Sequence, residues 1–522
     1  MYSPEKTKEA LKKYWGYDAF RPKQEAIVRD ILSGRDVCVV MPTGGGKSLC
    51  YQLPAALQAD KTAIVVSPLI ALMQDQVAQL AQMGIPAAVL NSSQSFTEQR
   101  ETERRAERGE FRLLYLSPER LAKQEMLTWL EKVPLSFFAI DEAHCISEWG
   151  HEFRPDYRQL KMLRKKFPKK PIAAFTASAT QRVRHDIIEQ LKLNDPGKFI
   201  ASFHRKNLNY QVVACDSRSQ NDQLLAILRK HEGESAIVYS PTKNQVSAIV
   251  VMLKEEGISA IGYHAGMEAE ERRENQERWM SGEADVLVGT IAFGLGINKG
   301  PVRAVVHLSL PKSIEQYYQE AGRAGRDGLP SDCFLLWQIQ DQILLRHFIG
   351  KIIDPDEKRR AQDRQREIQH FVESSRCRHR VICEHFGETV RWEKCGACDV
   401  CLGATVAPRK SSEVKSERNM QTRGPAGTQL TKTQRKRSTR RPRSAANDSE
   451  VDGELFEALR RGRRVRAKQE SVSAFIVMYD SVLREICRVL PRTRTELARV
   501  QGIGEKKLQR YGEEILEILR GQ

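Results

Sequence analysis

Eight residues constrain this chain of 522 more than any others: Met41-Pro42-Thr43-Gly44-Gly45-Gly46-Lys47-Ser48. They follow a short apolar, strand-like run from Asp36 to Val40. They lead into Leu49-Cys50-Tyr51-Gln52-Leu53, which can continue as a helix. Three adjacent glycines let the backbone close tightly and aim several N–H groups at one anion, and the helix N-terminus behind them adds the positive end of its dipole. Lys47 can reach the β- and γ-phosphates of a nucleotide, and Ser48 can hold Mg²⁺. A strict phosphate loop has glycine where this chain has Met41. Strand, glycine loop and helix in this order make a nucleoside triphosphate site.

Tyr17, Phe20, Arg21, Pro22 and Gln24 precede the loop by one helix length. A glutamine amide can contact the N6/N7 edge of adenine, and a tyrosine ring can stack on the base. Tyr17, Arg21 and Gln24 are therefore candidate base-binding residues. Beyond the loop, apolar runs such as Thr62-Ala63-Ile64-Val65-Val66 and Phe111-Arg112-Leu113-Leu114-Tyr115-Leu116 alternate with amphipathic stretches. That alternation predicts an α/β fold with a parallel sheet covered on both faces and ligands at the strands' carboxyl ends. One such strand, Phe137-Phe138-Ala139-Ile140, ends in Asp141-Glu142-Ala143-His144. Asp141 can hold Mg²⁺ and Glu142 can orient the attacking water.

This order of motifs resembles a superfamily 2 helicase, whose phosphate loop tolerates the Met41 departure. The next segment narrows the resemblance to the RecQ family. Cys145-Ile146-Ser147-Glu148-Trp149-Gly150-His151-Glu152-Phe153-Arg154-Pro155 is similar to that family's aromatic-rich loop. The resemblance implies that Trp149, His151, Phe153 and Arg154 sense single-stranded DNA and couple it to ATP hydrolysis. Glu148 stands where the family usually has glutamine. Thr176-Ala177-Ser178-Ala179-Thr180 resembles the motif that links ATP state to domain closure. In the second half, strands are expected at Ala236-Ile237-Val238-Tyr239 and Asp285-Val286-Leu287-Val288, with no second phosphate loop. Thr290 to Lys299 and Gln319 to Gly328 resemble the motifs that face the ATP from the opposing domain. Arg323 and Arg326 point the same way from one turn, and Arg326 is the expected arginine finger.

Cys395, Cys398 and Cys401 are spaced two residues apart, and with Cys377 they make four ligands for a tetrahedral structural Zn²⁺. Cys383, His379 and His385 compete for the fourth place, which the family resemblance gives to Cys377. An iron–sulfur cluster is the chemical rival, but that pattern wants another cysteine just downstream, and none follows until Cys487. Many RecQ proteins place a winged helix after this module. Here residues 402–450 lack apolar periodicity, carry a net charge of +8, and read as a disordered basic linker. Such a coil spans about 40 Å and serves either as a sequence-blind DNA contact or as a plain tether. Helical periodicity returns at 451–522, which resembles the HRDC domain. Its turn Gln501-Gly502-Ile503-Gly504-Glu505 resembles a helix–hairpin–helix phosphate contact, with a protein-interaction role as the alternative.

The net charge of +17 favours a polyanionic partner. Neither a membrane-spanning run nor a signal peptide is expected, and the eleven cysteines read as reduced or metal-bound thiols of a cytoplasmic protein. The expected organisation is two RecA-like domains (1–205 and 206–338), a helical zinc module (339–402), the linker (403–450) and a C-terminal HRDC-like bundle (451–522). The resemblance implies an ATP-dependent DNA helicase moving 3′ to 5′ in DNA repair and recombination, associated with the nucleoid. ATP, Mg²⁺ and Zn²⁺ are its implied cofactors. Implied partners are single-stranded and tailed or forked duplex DNA, with a single-strand-binding protein and other repair factors. An RNA helicase and an annealing protein with weak ATPase are the alternatives.

Overall fold

The computed structural model describes residues 3–91, 94–290, 299–403, 453–470, 472 and 474–521. Most of the stretch from Thr290 to Lys299, and the basic linker beyond residue 403, lie outside the described residues.

The N-terminal lobe is built on seven strands: β1 (Val37–Val40), β2 (Thr62–Val66), β3 (Ala87–Leu90), β4 (Leu113–Leu116), β5 (Leu135–Ile140), β6 (Ile172–Thr176) and β7 (Gly197–Ile200). Their spatial order is β3-β4-β2-β5-β6-β1-β7, and every pairing is parallel. The residues of β1, β2, β4, β5 and β6 are all buried, as strands covered on both faces require. The second lobe repeats the architecture with β8 (Leu208–Ala214), β9 (Ser235–Tyr239), β10 (Ala260–Tyr263), β11 (Val286–Gly289), β12 (Val302–His307) and β13 (Ser331–Trp337), ordered β10-β11-β9-β12-β13-β8.

Parallel strands place the loops that follow them along one edge of the sheet. The phosphate loop leaves β1, Asp141 leaves β5 and Ser178 follows β6. In each case a run of small or polar residues begins where the apolar strand stops, so the chemistry gathers at that edge.

The zinc module consists of helices Ile339–Gly350, Pro355–Glu373, Arg378–His385 and Asp399–Leu402. It is fixed to the outer strand of the second lobe by a bridge from Tyr210 to Cys398. Beneath that bridge, the buried Asp399 accepts from the Arg378 guanidinium at 3.0 Å and from the Val212 N–H at 3.3 Å. The C-terminal bundle (helices Gly453–Gln469, Ala474–Val477, Asp480–Val489, Arg494–Leu497 and Glu505–Arg520) packs around Leu459, Leu483, Ile486 and Leu516. These residues include the helical repeat that the sequence displays.

Candidate nucleotide site, zinc site and DNA-coupling loop

The phosphate loop is held open by its glycines. Gly44 and Gly46 have φ of 77° and 81°, a region that side chains rarely enter. The Gly45 N–H bonds back to the Pro42 carbonyl at 3.0 Å, and helix Lys47–Leu57 starts immediately behind. Met41, the departure from the strict pattern, is buried in the core of the first lobe. Lys47 Nζ donates to the Met41 carbonyl at 3.1 Å. Burial pulls the pKa of the Lys47 ammonium down, opposed by the carboxylates of Glu142 and Asp141.

Thr43, Lys47, Ser48, Asp141, Glu142, Arg323 and Arg326 line one cavity of about 750 Å³ between the lobes. Burial and the neighbouring Glu142 push the Asp141 carboxyl upward. Burial works on Glu142 in the same direction, but the His144 ring and Lys47 hold it below the usual range. Two adjacent acids kept from water carry a cost that a divalent cation removes, so this donor set fits Mg²⁺. Glu142 sits at φ 47°, ψ 44°, a left-handed conformation unusual for a side-chain-bearing residue. His144 ties this turn to β6 by a 2.9 Å contact from Nδ1 to Thr176 Oγ1.

The second lobe reaches across the cleft. The Thr43 hydroxyl donates to the Gly322 carbonyl at 3.0 Å, and Gln319 Nε2 donates to Ser178 Oγ at 2.8 Å. A Cβ on Gly44 would stand 3.2 Å from the Arg326 side chain, so this glycine admits the arginine as well as the turn. Burial, then the charges of Arg323 and Arg205, lower the pKa of Arg326 to about 9. The Nε of buried Arg323 has no hydrogen-bond partner among the described residues. Clustered cations facing a glycine loop fit a polyphosphate.

The expected base-binding residues Tyr17, Arg21 and Gln24 all line the same cavity, and Tyr17 is partly exposed. Gln24 also contacts the loop itself. Its amide donates to the carbonyls of Gly45 and Gly46 at 3.3 and 3.2 Å, and its own oxygen accepts from the Arg21 N–H at 2.9 Å. Arg21 reaches the Gly44 carbonyl. Both side chains therefore brace the phosphate loop.

Arg205 gave no signal in the sequence. Its guanidinium donates to the carbonyls of Thr43, Ala324 and Gly325 at 3.1, 3.1 and 3.0 Å, stapling the phosphate loop to the turn that carries Arg323 and Arg326. Its own carbonyl lies 3.1 Å from His379 Nε2, while His379 Nδ1 lies 3.2 Å from Cys395 Sγ. Arg303 grips Asp327 through two contacts of 2.6 and 2.7 Å and fixes the same turn from behind.

The sulfurs of Cys377, Cys395, Cys398 and Cys401 all lie within 4.8 Å of one another. Cys395 and Cys401 are 3.8 Å apart, and Cys377 and Cys398 are 4.0 Å apart. A tetrahedron with Zn–S bonds of about 2.3 Å requires sulfurs about 3.8 Å apart, so the four thiols fit Zn²⁺. Cys383 and His385 stand outside this cluster, and His379 supports Cys395 from beside it.

The aromatic-rich loop is half-buried. His151 stacks on His144 with centroids 4.8 Å apart. Trp149 lies under the guanidinium of Arg182 and near that of Arg360, and Phe153 lies under Arg158. Arg154 Nη1 donates to the Pro68 carbonyl at 3.4 Å. The aromatic faces expected to stack on bases are thus covered by arginines. Glu148 pairs with Arg158 at 3.1 Å and with Arg360, on the zinc module, at 3.6 Å.

Two parallel-sheet lobes, with a phosphate loop on one and paired arginines on the other, define a nucleotide-driven motor of the helicase type. Family models agree along the chain: DEAD/DEAH box helicase at residues 21–187, helicase conserved C-terminal domain at 219–328, RecQ zinc-binding at 339–402 and HRDC domain at 452–519. The chain is 34% identical to the ATP-dependent DNA helicase RecQ of Pasteurella multocida, over 98% of this chain and 93% of that protein. It is 33% identical to the Bacillus subtilis protein of the same name, over 98% of both. The lobes are also similar in fold to the DUF1998 helicase MrfA bound to DNA and AMPPNP, with a TM-score of 0.54 and 23% identity over 66% of this chain and 52% of that one. The chain belongs to the RecQ family of ATP-dependent DNA helicases.

Proposed function

We propose that the chain unwinds DNA in the 3′ to 5′ direction, spending ATP in the cleft between residues 1–205 and 206–338. One observation carries the reading: a glycine loop and two acids from one lobe and two arginines from the other converge on one cavity. In this reading Gly44, Gly45, Gly46 and Lys47 hold the phosphates, while Ser48 and Asp141 hold Mg²⁺. Glu142 orients the attacking water, and Arg323 and Arg326 neutralise charge on the transferring phosphoryl group. Mg²⁺ bound there supplies further charge neutralisation. Tyr17, Arg21 and Gln24 take the base. Zn²⁺ on the four cysteines keeps the module at 339–402 folded and seats His379 against Arg205.

Trp149, His151, Phe153 and Arg154 couple DNA to this chemistry by exchanging their present partners for the strand. Glu142 and His144 stand at one end of that loop, so a change there reaches the water-orienting carboxylate directly. Tailed or forked duplexes are the proposed substrates, in a cytoplasmic, nucleoid-associated setting, with a single-strand-binding protein and other repair factors as partners. Among the described residues no helix is long and apolar enough to cross a membrane.

The match to the Pasteurella protein runs over 592 positions, more than this chain has residues, so that relative carries positions that this chain lacks. ATP-dependent strand displacement on 3′-tailed and 5′-tailed DNA duplexes tests the proposal, with turnover read in the same tubes. Displacement from the 3′ tail alone, abolished by Lys47→Ala, is expected. DNA-stimulated turnover without displacement would leave a translocase only, and stronger stimulation by RNA of matched sequence would refute the choice of DNA.

A further inference from the structure

Five residues of the C-terminal bundle, Tyr479, Ser481, Val482, Glu485 and Gln501, line the same cavity as Tyr17, Lys47 and Arg326. The bundle rests on both lobes. On the first, the Tyr479 hydroxyl donates to Gln79 Oε1 at 2.9 Å, Arg510 donates to Gln82 Oε1 at 2.8 Å, and Gln82 Nε2 donates to Glu470 Oε2 at 3.2 Å. On the second, Arg460 donates to the Ser281 carbonyl at 2.8 Å. Phe475 and Ile476 are buried in the same core cluster as Trp279 and Met280 of that lobe. The turn that the sequence suggested for DNA phosphates faces the protein instead. The Gly502 N–H reaches the Gly16 carbonyl at 3.4 Å, and Gly504 packs on the carbonyls of Lys13 and Tyr14. This contact adjoins Tyr17, so the bundle closes the cavity at its base-binding end.

We propose that the C-terminal bundle is a third part of the nucleotide site: it forms the outer wall and retains the bound nucleotide. The proposal rests on the reading of this cleft as the ATP site. At about 750 Å³ the cavity, measured with the bundle docked, matches the size of small-molecule pockets, so the bundle walls the site without filling it. Ser481 and Glu485, whose carboxylate also accepts from Arg488 at 3.0 and 2.7 Å, present acceptors of the kind that bind ribose hydroxyls. Tyr479 lies within electrostatic reach of Arg326 and hydrogen-bonds the first lobe, so the wall also touches the opposed pair of lobes where they meet. The positioning residues are Tyr479, Ser481 and Glu485, and the ligand class is a ribonucleoside di- or triphosphate.

Gly504→Val separates the wall from the site. Gly504 has an ordinary φ of −81°, and the nearest atoms to an added Cβ are the Tyr14 and Lys13 carbonyl oxygens, 2.7 and 2.8 Å away on the first lobe. The bundle's own packing is therefore spared. In the full chain, hydrogen exchange at residues 13–17 and 79–83 reads docking, and titration calorimetry with Mg-ADP reads affinity. Gly504→Val is expected to expose both segments and weaken ADP by about tenfold, the loss of one or two hydrogen bonds and their shelter. Glu485→Ala is expected to stay docked and weaken ADP by a smaller factor. An undocked Gly504→Val chain that binds ADP as tightly as the parent overturns the proposal, and so does a Gly504→Val chain that stays docked. Lys47→Ala serves as the separate control: if it leaves ADP binding intact, the cleft is not the nucleotide site and the failure lies there.

Discussion

Arg326 meets the phosphate loop at Gly44, where any side chain would crowd it, and burial leads in lowering its pKa. A cation held this way by the fold is prepared for negative charge that develops only during reaction. Arg326→Ala is expected to lower DNA-stimulated ATP turnover by about 10³-fold or more, with a much smaller change in ATP KM, as steady-state kinetics will show. A second residue acts on stability. His231 lies between Asp332 at 3.1 Å and Glu234 at 2.7 Å, and the hydrogen bond to Asp332 leads in raising its pKa. The folded state therefore binds the imidazolium more tightly than the unfolded chain does. That stabilisation is full below the unfolded value of about 6.5 and is lost as pH rises through the higher folded value. Asp332, held down to about 2, stays ionised throughout. Melting curves of the parent and His231→Asn should differ most near pH 6 and converge in alkaline buffer.

Among elements, the zinc module and the aromatic-rich loop are tied to the motor by specific contacts. The run from Cys395 through His379 to Arg205 ends on the carbonyls of Thr43, Ala324 and Gly325. Arg205 thereby sets the spacing between the phosphate loop and the Arg323–Arg326 turn without lining the cavity. Arg205→Ala is expected to reduce kcat more than tenfold while the zinc content, read by metal analysis, stays at one per chain. Arg205→Lys should not restore it, because one ammonium cannot reproduce a planar fork bonded to three carbonyls. Loss of zinc in Arg205→Ala would instead make the residue part of the module's own fold.

At the scale of the whole molecule, the bundle bridges both lobes, and the basic stretch between zinc module and bundle supplies about half of the net charge of +17. Replacing the twelve Lys and Arg of residues 403–450 by Gln is expected to flatten the dependence of DNA affinity on salt. Each phosphate contact removed lowers the slope of log K against log salt by about 0.7 on single strands. Binding isotherms at a series of salt concentrations measure it; an unchanged slope would mean that the stretch is a tether.

The sequence by itself determined the phosphate loop, Asp141 and Glu142, the alternating sheets and three of the four zinc thiols. Each of these follows from local order: a strand's end, a glycine run or a fixed spacing puts the groups where they act. Arg323 and Arg326 were legible through their shared turn and the family resemblance, and Cys377 through the resemblance alone. Tertiary structure decided the rest. Gln24 braces the loop because folding sets it against the carbonyls of Gly45 and Gly46. Arg205 and His379 matter only because distant segments converge on them. The hairpin turn at Gly502 and Gly504 has the local form of a phosphate contact, yet its N–H and close backbone approach are taken by the first lobe. Local sequence fixes what a segment can bind; which of its possible partners it meets depends on contacts hundreds of residues apart.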